Sequence, residues 1–191
     1  MLTIVKQYLK EKYSKPGNVF LGLIHRLDRP VGGVMVFAKT SKAAARLSEQ
    51  VRSKIFKKQY LVIVDGKLEK EHDVLEDYLL KNERNNMSKV VDNGVKNAKL
   101  ASLEYDVIKY DKELNLSVLR VNLHTGRHHQ IRVQLSSRGH SIYADQKYGT
   151  RGKGKPICLW AYSLTIQHPI TKQEMTFIDV PNKVGSWKIL E

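Results

Sequence analysis

Cysteine is nearly absent from this chain of 191 residues, and long apolar runs are absent altogether. Cys158 is the only cysteine, which excludes an internal disulfide and any zinc site built from several cysteines. No stretch approaches the ~20 apolar residues of a membrane-spanning helix. Lys6 and Lys10 interrupt the N-terminal segment, so a secretory signal is not expected. Together these absences predict a cytoplasmic protein.

Acidic residues are the minority among the charged side chains, with 19 against 33 lysines and arginines and a formal net charge of +14. Such an excess favours a phosphate-rich partner, with an affinity that falls as salt rises. A lysine-rich surface without such a partner is the alternative. The sequence contains no repeat, low-complexity tract or interdomain linker, so residues 1–191 are expected to form a single domain.

Apolar spacing predicts a helix over residues 2–13 and a second helix capped by Thr40 or Ser41. The inner face of the second helix is expected to comprise Ala44, Leu47, Val51 and Ile55. A third helix should open at Thr125 and end at Gly139, with backbone N–H groups at its start that favour phosphate. Strands are predicted to end at Ile24 and to cover residues 34–37, 58–64, 100–110, 114–123, 142–145, 159–166 and 174–180.

The motif His25-Arg26-Leu27-Asp28-Arg29 places one carboxylate among three basic or potentially basic side chains. Neighbouring positive charge favours the ionised form of a carboxyl group, so Asp28 should stay charged. A surface that only bound phosphate would be better without this negative charge. The motif therefore predicts chemistry that needs a carboxylate inside a site suited to a polyanion.

Two further motifs accompany it, Lys57-Lys58-Gln59-Tyr60-Leu61 and Thr125-Gly126-Arg127-His128-His129-Gln130-Ile131-Arg132-Val133. In this order and spacing the three resemble the motifs of the RluA family of pseudouridine synthases. The resemblance continues through Gly139-His140-Ser141-Ile142-Tyr143-Ala144-Asp145 and His168-Pro169 and covers roughly residues 20–181. Several ordered motifs are far more specific than a single four-residue match.

The resemblance implies an α+β fold, a bent, mainly antiparallel mixed sheet with flanking helices and a central basic cleft. It implies isomerisation of uridine to pseudouridine in structured ribosomal or transfer RNA, with no cofactor and no metal. Asp28 matches the family's catalytic aspartate, Tyr60 its active-site tyrosine and Arg132 the arginine paired with the aspartate. The residues expected to contact RNA are His25, Arg26, Arg29, Lys57, Lys58, Arg127, His129 and Gln130.

Plainer interpretations exist for each of these side chains. In isolation, Asp28 would be a turn aspartate, Tyr60 a core residue of its strand and Arg132 a solvated arginine on a helix face. His124 and His128 have the i, i+4 spacing of a metal-binding pair. No third ligand follows them, and Thr125-Gly126 breaks the helix that such a pair needs, so a metal is not expected.

The sequence departs from the family pattern directly after the aspartate, at residue 160 and at its start. Val31-Gly32-Gly33 stands where the family usually has Thr-Ser-Gly, and Trp160 stands where histidine is common. The chain is also expected to lack the family's N-terminal strand segment and its S4 domain. We expect a monomer, with dimerisation through an exposed sheet edge as the alternative.

Two other functions stay open at this point. One is a catalytically silent relative that binds or folds RNA, which the intact set of Asp28, Tyr60 and Arg132 disfavours. The other is a basic structural protein associated with ribosomes, which only the net charge supports.

Overall fold

The computed structural model describes residues 1–191, which group into two compact units. Unit 1 consists of Met1–Arg26, Met35–Phe56 and Thr165–Thr176. Unit 2 consists of Leu27–Val34, Lys57–Leu164 and Phe177–Glu191. The single domain expected from the sequence stays a prediction.

The chain forms three α-helices and ten strands, and it ends in a 3₁₀ helix at Gly185–Leu190. They are α1 (Leu2–Lys12), β1 (Gly22–Leu23), β2 (Gly32–Gly33), β3 (Phe37–Ala38), α2 (Ser41–Arg52), β4 (Lys57–Asp65), β5 (His72–Asn82), β6 (Met87–Val91), β7 (Lys99–Asp111), β8 (Leu116–Leu123), α3 (Gln130–Ser136), β9 (Leu159–Gln167) and β10 (Glu174–Ile178). None of the helices combines the length and the apolar character that crossing a bilayer requires.

Unit 1 contains α1, α2 and the antiparallel pair β1–β3. Thr40 caps α2 as predicted, because its Oγ1 accepts a hydrogen bond from the N–H of Ala43 at 3.2 Å. A hydroxyl in this position satisfies one of the N–H groups that a helix start leaves free.

The buried face of α2 differs from the prediction. Leu47 is buried as expected, but Val51 and Ile55 are each 38% exposed, and Ile55 lies beyond the end of the helix. Gln50 is buried instead, because its amide donates to the carbonyl oxygen of Gln167 at 2.7 Å and accepts from the N–H of Gln167 at 2.9 Å. A buried amide is tolerated when its polar groups are paired, which apolar periodicity cannot reveal.

The main sheet has the strand order β10-β9-β4-β8-β7-β5-β6. The pairs β4–β8, β8–β7, β7–β5 and β5–β6 are antiparallel, whereas β2 joins β9 in parallel. This mixed, mainly antiparallel sheet with few helices confirms the predicted α+β class. The predicted antiparallel pairing of β7 with β8 is also confirmed.

The core of unit 2 is centred on β4. Val62, Ile63 and Val64 are all inaccessible to solvent although successive side chains of a strand point to opposite faces. A strand covered on both faces has a continuous apolar run rather than an alternating one, which is what residues 61–64 show.

The strand predicted over residues 142–145 is wrong. Only one bridge forms there, between Ile142 and Val64, because Ala144 adopts φ +63° and ends the extended conformation. Asp145 then accepts hydrogen bonds from the N–H groups of Lys147 and Tyr148, which is the local pairing typical of an Asx turn.

The third helix begins five residues later than predicted. His129 precedes α3 with φ +52°, and the Oε1 atom of Gln130 accepts from the N–H of Arg127 at 3.0 Å and from the hydroxyl of Thr125 at 2.7 Å. The segment before α3 is therefore closed by Gln130. It does not offer the row of free helical N–H groups that a helix starting at Thr125 would present to phosphate.

Candidate active site

Asp28 lies in the loop that leads into β2, and its side chain is 29% exposed. The loop turns back directly after it, since the carbonyl oxygen of Asp28 accepts from the N–H of Val31 at 2.9 Å. The carboxylate is thus held by a local turn and still accessible to a solute.

Arg132 connects Asp28 to a second carboxylate. Its Nη1 donates to Oδ2 of Asp28 at 3.2 Å, while its Nε and Nη2 donate to the two oxygens of Asp145, each at 2.7 Å. Arg132 is 4% exposed and Asp145 is 1% exposed. The fork on Asp145 orients the guanidinium, and the remaining edge of the group faces Asp28.

The electrostatics of the Arg132–Asp145 pair follow from its burial. Burial alone would raise the pKa of Asp145, but hydrogen bonds from Arg132 and from the N–H groups of Lys147 and Tyr148 lower it below its ordinary value. Burial likewise opposes the charge of Arg132, and Asp145 and Asp28 together raise the pKa of the guanidinium. Both groups therefore stay charged because each is paired.

His129 lies beside Asp28, and Tyr148 contacts its imidazole. The hydroxyl oxygen of Tyr148 accepts from the N–H of Ser88 at 2.7 Å and lies 2.8 Å from Nδ1 of His129. Because that oxygen already accepts one hydrogen bond, its own hydrogen is available to Nδ1, which leaves the proton of a neutral imidazole on Nε2. Nε2 lies 3.7 Å from Oδ2 of Asp28, which is an electrostatic contact and too long for a hydrogen bond.

His129 is neutral at pH 7. Burial lowers the pKa of its imidazole to about 4, although the charge of Asp28 acts in the opposite direction. His129 is 8% exposed, and its ring stacks on that of His128 with the two centroids 3.8 Å apart. Arg132 is thus the only full positive charge in direct contact with Asp28.

Tyr60 is buried in β4, and it packs in the hydrophobic core of unit 2. Burial raises the pKa of its phenol to about 12, and the charge of Asp28 adds to the rise. Tyr60 is therefore a core residue of its strand, close enough to Asp28 for the carboxylate charge to act on its phenol.

Of the residues predicted to contact RNA, His25 and Arg26 lie in unit 1. His25 Nε2 accepts from the N–H of Val36 at 3.2 Å, and its ring lies edge-on to Phe56 at 5.3 Å. Arg26 is exposed. The ring of His25 thus has a structural role in unit 1, while the guanidinium of Arg26 is accessible to a partner.

The other predicted RNA contacts lie in unit 2 and divide by exposure. Arg29, Lys57 and Arg127 are exposed, whereas His129 and Gln130 are buried. The amide of Gln130 is hydrogen-bonded inside the protein, as described above. Whether any of these side chains contacts RNA stays a prediction. Because His129 and Gln130 are buried, they are less accessible to RNA than the exposed cations are.

Lys58 differs from the exposed cations. It is partly buried, makes no ion pair, and desolvation lowers the pKa of its ammonium group. Its Nζ lies 3.2 Å from the position that a Cβ atom on Gly126 would occupy, so the absence of a side chain there makes room for it. An anionic ligand would stabilise the charge of a desolvated ammonium group that has no carboxylate partner.

The histidines considered for metal binding have separate partners. His128 contacts the hydroxyl of Ser88 at 2.9 Å, and His124 contacts that of Ser102 at 3.3 Å. A different group, His72, Glu104 and Asp106, has potential ligand atoms within 4.8 Å of one another. Asp106 is already hydrogen-bonded to His72 and to Arg120, so this group is explained as an ion-pair network. The expectation of no metal stays a prediction.

Asp145, Tyr148 and Ser88 were not predicted as site residues. Asp145 belongs to a motif that the sequence shows, but the motif assigns it no role, and its contact with Arg132 depends on the turn that replaces the expected strand. Tyr148 follows in the same segment, and Ser88 comes from β6, which sequence patterning did not predict. No local signal identifies Ser88.

Comparisons with known proteins agree with this geometry. The family model described as RNA pseudouridylate synthase matches residues 4–137. An uncharacterised RNA pseudouridine synthase of Aquifex aeolicus is 32% identical over 94% of this chain and 60% of that protein. Ribosomal large subunit pseudouridine synthase C of Haemophilus influenzae is 32% identical over 85% of this chain and 52% of that protein. The chain thus spans between half and two thirds of the length of these relatives.

A solved structure shows the same fold. The protein described as Human RNA Pseudouridylate Synthase Domain Containing 1 matches with a TM-score of 0.78 over 96% of this chain and 76% of its own, at 19% sequence identity. At that identity the likeness concerns the fold alone. It confirms the fold that the sequence motifs predicted.

Proposed function

This chain belongs to the RNA pseudouridylate synthase family, and from that premise we propose that it isomerises uridine in ribosomal or transfer RNA to pseudouridine. The observation that carries the proposal is the contact of Arg132 with a partly exposed Asp28 at 3.2 Å. It provides an oriented carboxylate, next to a fixed positive charge, at a position that a nucleoside can reach.

The reaction breaks the N1–C1′ bond of uridine and forms a C5–C1′ bond. When N1 leaves with the bonding electron pair, C1′ becomes electron-poor. An oxygen of Asp28 then either bonds to C1′ or removes the proton from C2′, and this step is reversed when C5 attacks C1′. The proton on C5 is finally lost and N1 gains one, so the product is an isomer and no oxidant or reductant is needed.

Arg132 orients the carboxylate for either route. Because its fork is fixed on Asp145, the guanidinium does not need to reorganise when the charge on Asp28 changes during the reaction. Removing Arg132 would leave Asp145 buried without a counter-charge, so we assign Arg132 the dual role of holding the site together and aiming Asp28.

Tyr60 supports the reacting base through its ring in this proposal. A phenol with a pKa of about 12 is almost entirely protonated at neutral pH, so Tyr60 is not a pre-formed phenolate base. Its aromatic ring can instead pack against the detached uracil while the base turns to present C5.

RNA binding is assigned to the exposed and desolvated cations. Arg26, Arg29, Lys57 and Arg127 are accessible to phosphate, and Lys58 has no internal counter-charge. Such contacts supply sequence-independent affinity, while the target uridine must be unstacked to reach Asp28 at a cost of a few kcal/mol. His25, His129 and Gln130 would then act on RNA indirectly, each by supporting the segment of its own unit in which it lies.

The test uses a mixture of unmodified ribosomal and transfer RNA transcripts labelled with [5-³H]uridine. Isomerisation replaces the hydrogen on C5, so tritium release into water measures it directly. We expect release by the wild type, a fall of at least about 10²-fold for Asp28→Asn, and no change for the exposed turn variant Asp92→Asn. Tritium release that persists in Asp28→Asn would refute the role of Asp28. RNA binding without release by the wild type would favour the silent RNA-binding relative.

A further inference from the structure

The loop that carries Asp28 is attached to the sheet by a very short ladder. β2 contains only Gly32 and Gly33, which align in parallel with Trp160 and Ala161 of β9. The N–H of Val34 donates to the carbonyl oxygen of Ala161 at 2.9 Å. Since so few backbone hydrogen bonds hold this loop, side-chain packing at β2 has a large share in fixing its position.

Gly33 is required by the backbone. Its φ of +115° is a conformation that other residues rarely adopt, and a Cβ atom there would lie 2.2 Å from the carbonyl oxygen of Ala161. No change of a neighbouring side chain can relieve this overlap, because the obstacle is the main chain of β9.

Gly32 is required because the side chain of Trp160 lies against it. Its φ is not in the left-handed region, but a Cβ atom there would lie 2.4 Å from Cζ3 and 2.7 Å from Cη2 of Trp160. The six-membered ring of the indole therefore lies directly on the α-carbon of Gly32. The obstacle at this position would disappear if residue 160 were smaller.

The indole of Trp160 cannot easily turn away from Gly32. Its Nε1 donates to the carbonyl oxygen of Asp179 at 3.1 Å, and the ring packs edge-on against Trp187 with centroids 6.5 Å apart and an interplanar angle of 74°. The hydrogen bond holds the pyrrole side of the indole and Trp187 packs against the ring, so the edge that lies over Gly32 has a fixed position.

We propose that Trp160 is a positioning residue for Asp28, and that Gly32 and Trp160 form a matched steric pair. The indole covers Gly32 and fixes β2, and the turn from Val31 to Asp28 transmits that position to the carboxylate.

The catalytic part of this inference depends on the proposed function, whereas the steric pairing does not. Two readouts separate them, namely kcat and KM for tritium release and the midpoint of thermal unfolding, Tm. The variants are Gly32→Ala, Trp160→Leu and the double variant, with Gly33→Ala and Gly33→Ala/Trp160→Leu as the matched control set.

We expect Gly32→Ala to lower kcat by about 10- to 100-fold with KM changed less than about 2-fold, because a displacement of about 1 Å at a catalytic group costs up to about 10²-fold. Trp160→Leu should lower kcat less, by about 3- to 10-fold, since the loop loses a restraint without being pushed aside. The double variant should resemble Trp160→Leu alone in both kcat and Tm. The effects of Gly33→Ala and Trp160→Leu should instead multiply in kcat and add in Tm.

Several results would overturn the proposal. If the effects of Gly32→Ala and Trp160→Leu also multiply in kcat and add in Tm, the two residues are not a steric pair. If Gly32→Ala lowers Tm while kcat is unchanged, Trp160 has a structural role only. If the wild type releases no tritium, the proposed function is wrong, and the Tm values of the same variants still decide whether the pair exists.

Discussion

Two carboxylates share one guanidinium in this protein, and they differ in the number and length of their hydrogen bonds to it and in their exposure to solvent. Asp145 receives two hydrogen bonds of 2.7 Å from Arg132 and its side chain has no exposed surface, whereas Asp28 receives one of 3.2 Å and its side chain is 29% exposed. The tighter of the two ion pairs, Arg132–Asp145, need not be the reactive one. Asp145 holds Arg132 through two hydrogen bonds, and the looser contact leaves Asp28 accessible for the role proposed for it.

The largest expected effect is the difference in protein stability between variants of the two carboxylates. Asp145→Asn should lower the free energy of unfolding by about 3–5 kcal/mol, because it leaves Arg132 charged and buried without its main partner. Asp28→Asn should change it by less than about 1 kcal/mol, since that contact is long and partly exposed. Urea denaturation measures both values. Equal losses from the two variants would contradict the division of roles.

A smaller effect, at acidic pH, tests whether the histidine beside Asp28 is neutral. The pKa of His129 falls from an ordinary 6.5 to about 4 in the folded protein. Between these values the unfolded chain binds a proton at residue 129 that the folded protein does not, so the native state loses stability as pH falls from 6.5 towards 4. We expect Tm to drop more between pH 7 and pH 5 in the wild type than in His129→Gln.

The control for this titration is present in both proteins. His128, whose pKa burial also lowers, remains in His129→Gln but loses the ring on which it stacks, so the comparison is repeated between His128→Gln and His128→Gln/His129→Gln, where only residue 129 differs. Parallel Tm curves for the two proteins would show that His129 does not titrate in this way, and the argument that Arg132 is the only full positive charge on Asp28 would lose its basis.

The smallest effect is expected at alkaline pH. Because the pKa of Tyr60 is raised to about 12, its ionisation should not influence the rate between pH 8 and pH 10. The pH profiles of the wild type and Tyr60→Phe should therefore have the same shape in this range, whatever their absolute rates. An inflection near pH 10 that Tyr60→Phe lacks would show that the phenol titrates near its ordinary value and can act as a base.

The sequence predicted the part of the site that motifs describe and missed the part that depends on a turn. Asp28, Tyr60 and Arg132 could be selected because each stands in an ordered motif. The structure brings Arg132 into contact with Asp28, and it places Tyr60 in the core of unit 2. Asp145 could not be given a role, since residues 142–145 have the apolar start of a strand and the turn at Ala144 is set by a positive φ. The same limit applies to the start of α3, where the side chain of Gln130 closes the segment that was expected to be helical.

Strand prediction succeeded where one pattern dominated. β4 has an unbroken apolar run, and β7 and β8 are long and apolar enough to be recognised on either side of a turn. β5 was missed because charged residues such as Glu76 and Asp77 occupy both faces of the strand and hide its alternation. Asp77 is satisfied by Gln134 at 2.7 Å and by Arg138 at 2.9 Å, contacts between segments far apart in sequence that no local window contains.

The seven residues of α3 include six that are almost completely enclosed, three of them polar. In most helices the solvent-exposed face tolerates substitutions, but α3 has almost no exposed face. Gln130, Arg132 and Gln134 are each committed to a partner in another segment, so an exchange at one of them must be matched elsewhere in the chain. We therefore expect this helix to be among the slowest parts of the molecule to diverge, and its amides to be retained as strictly as its leucine.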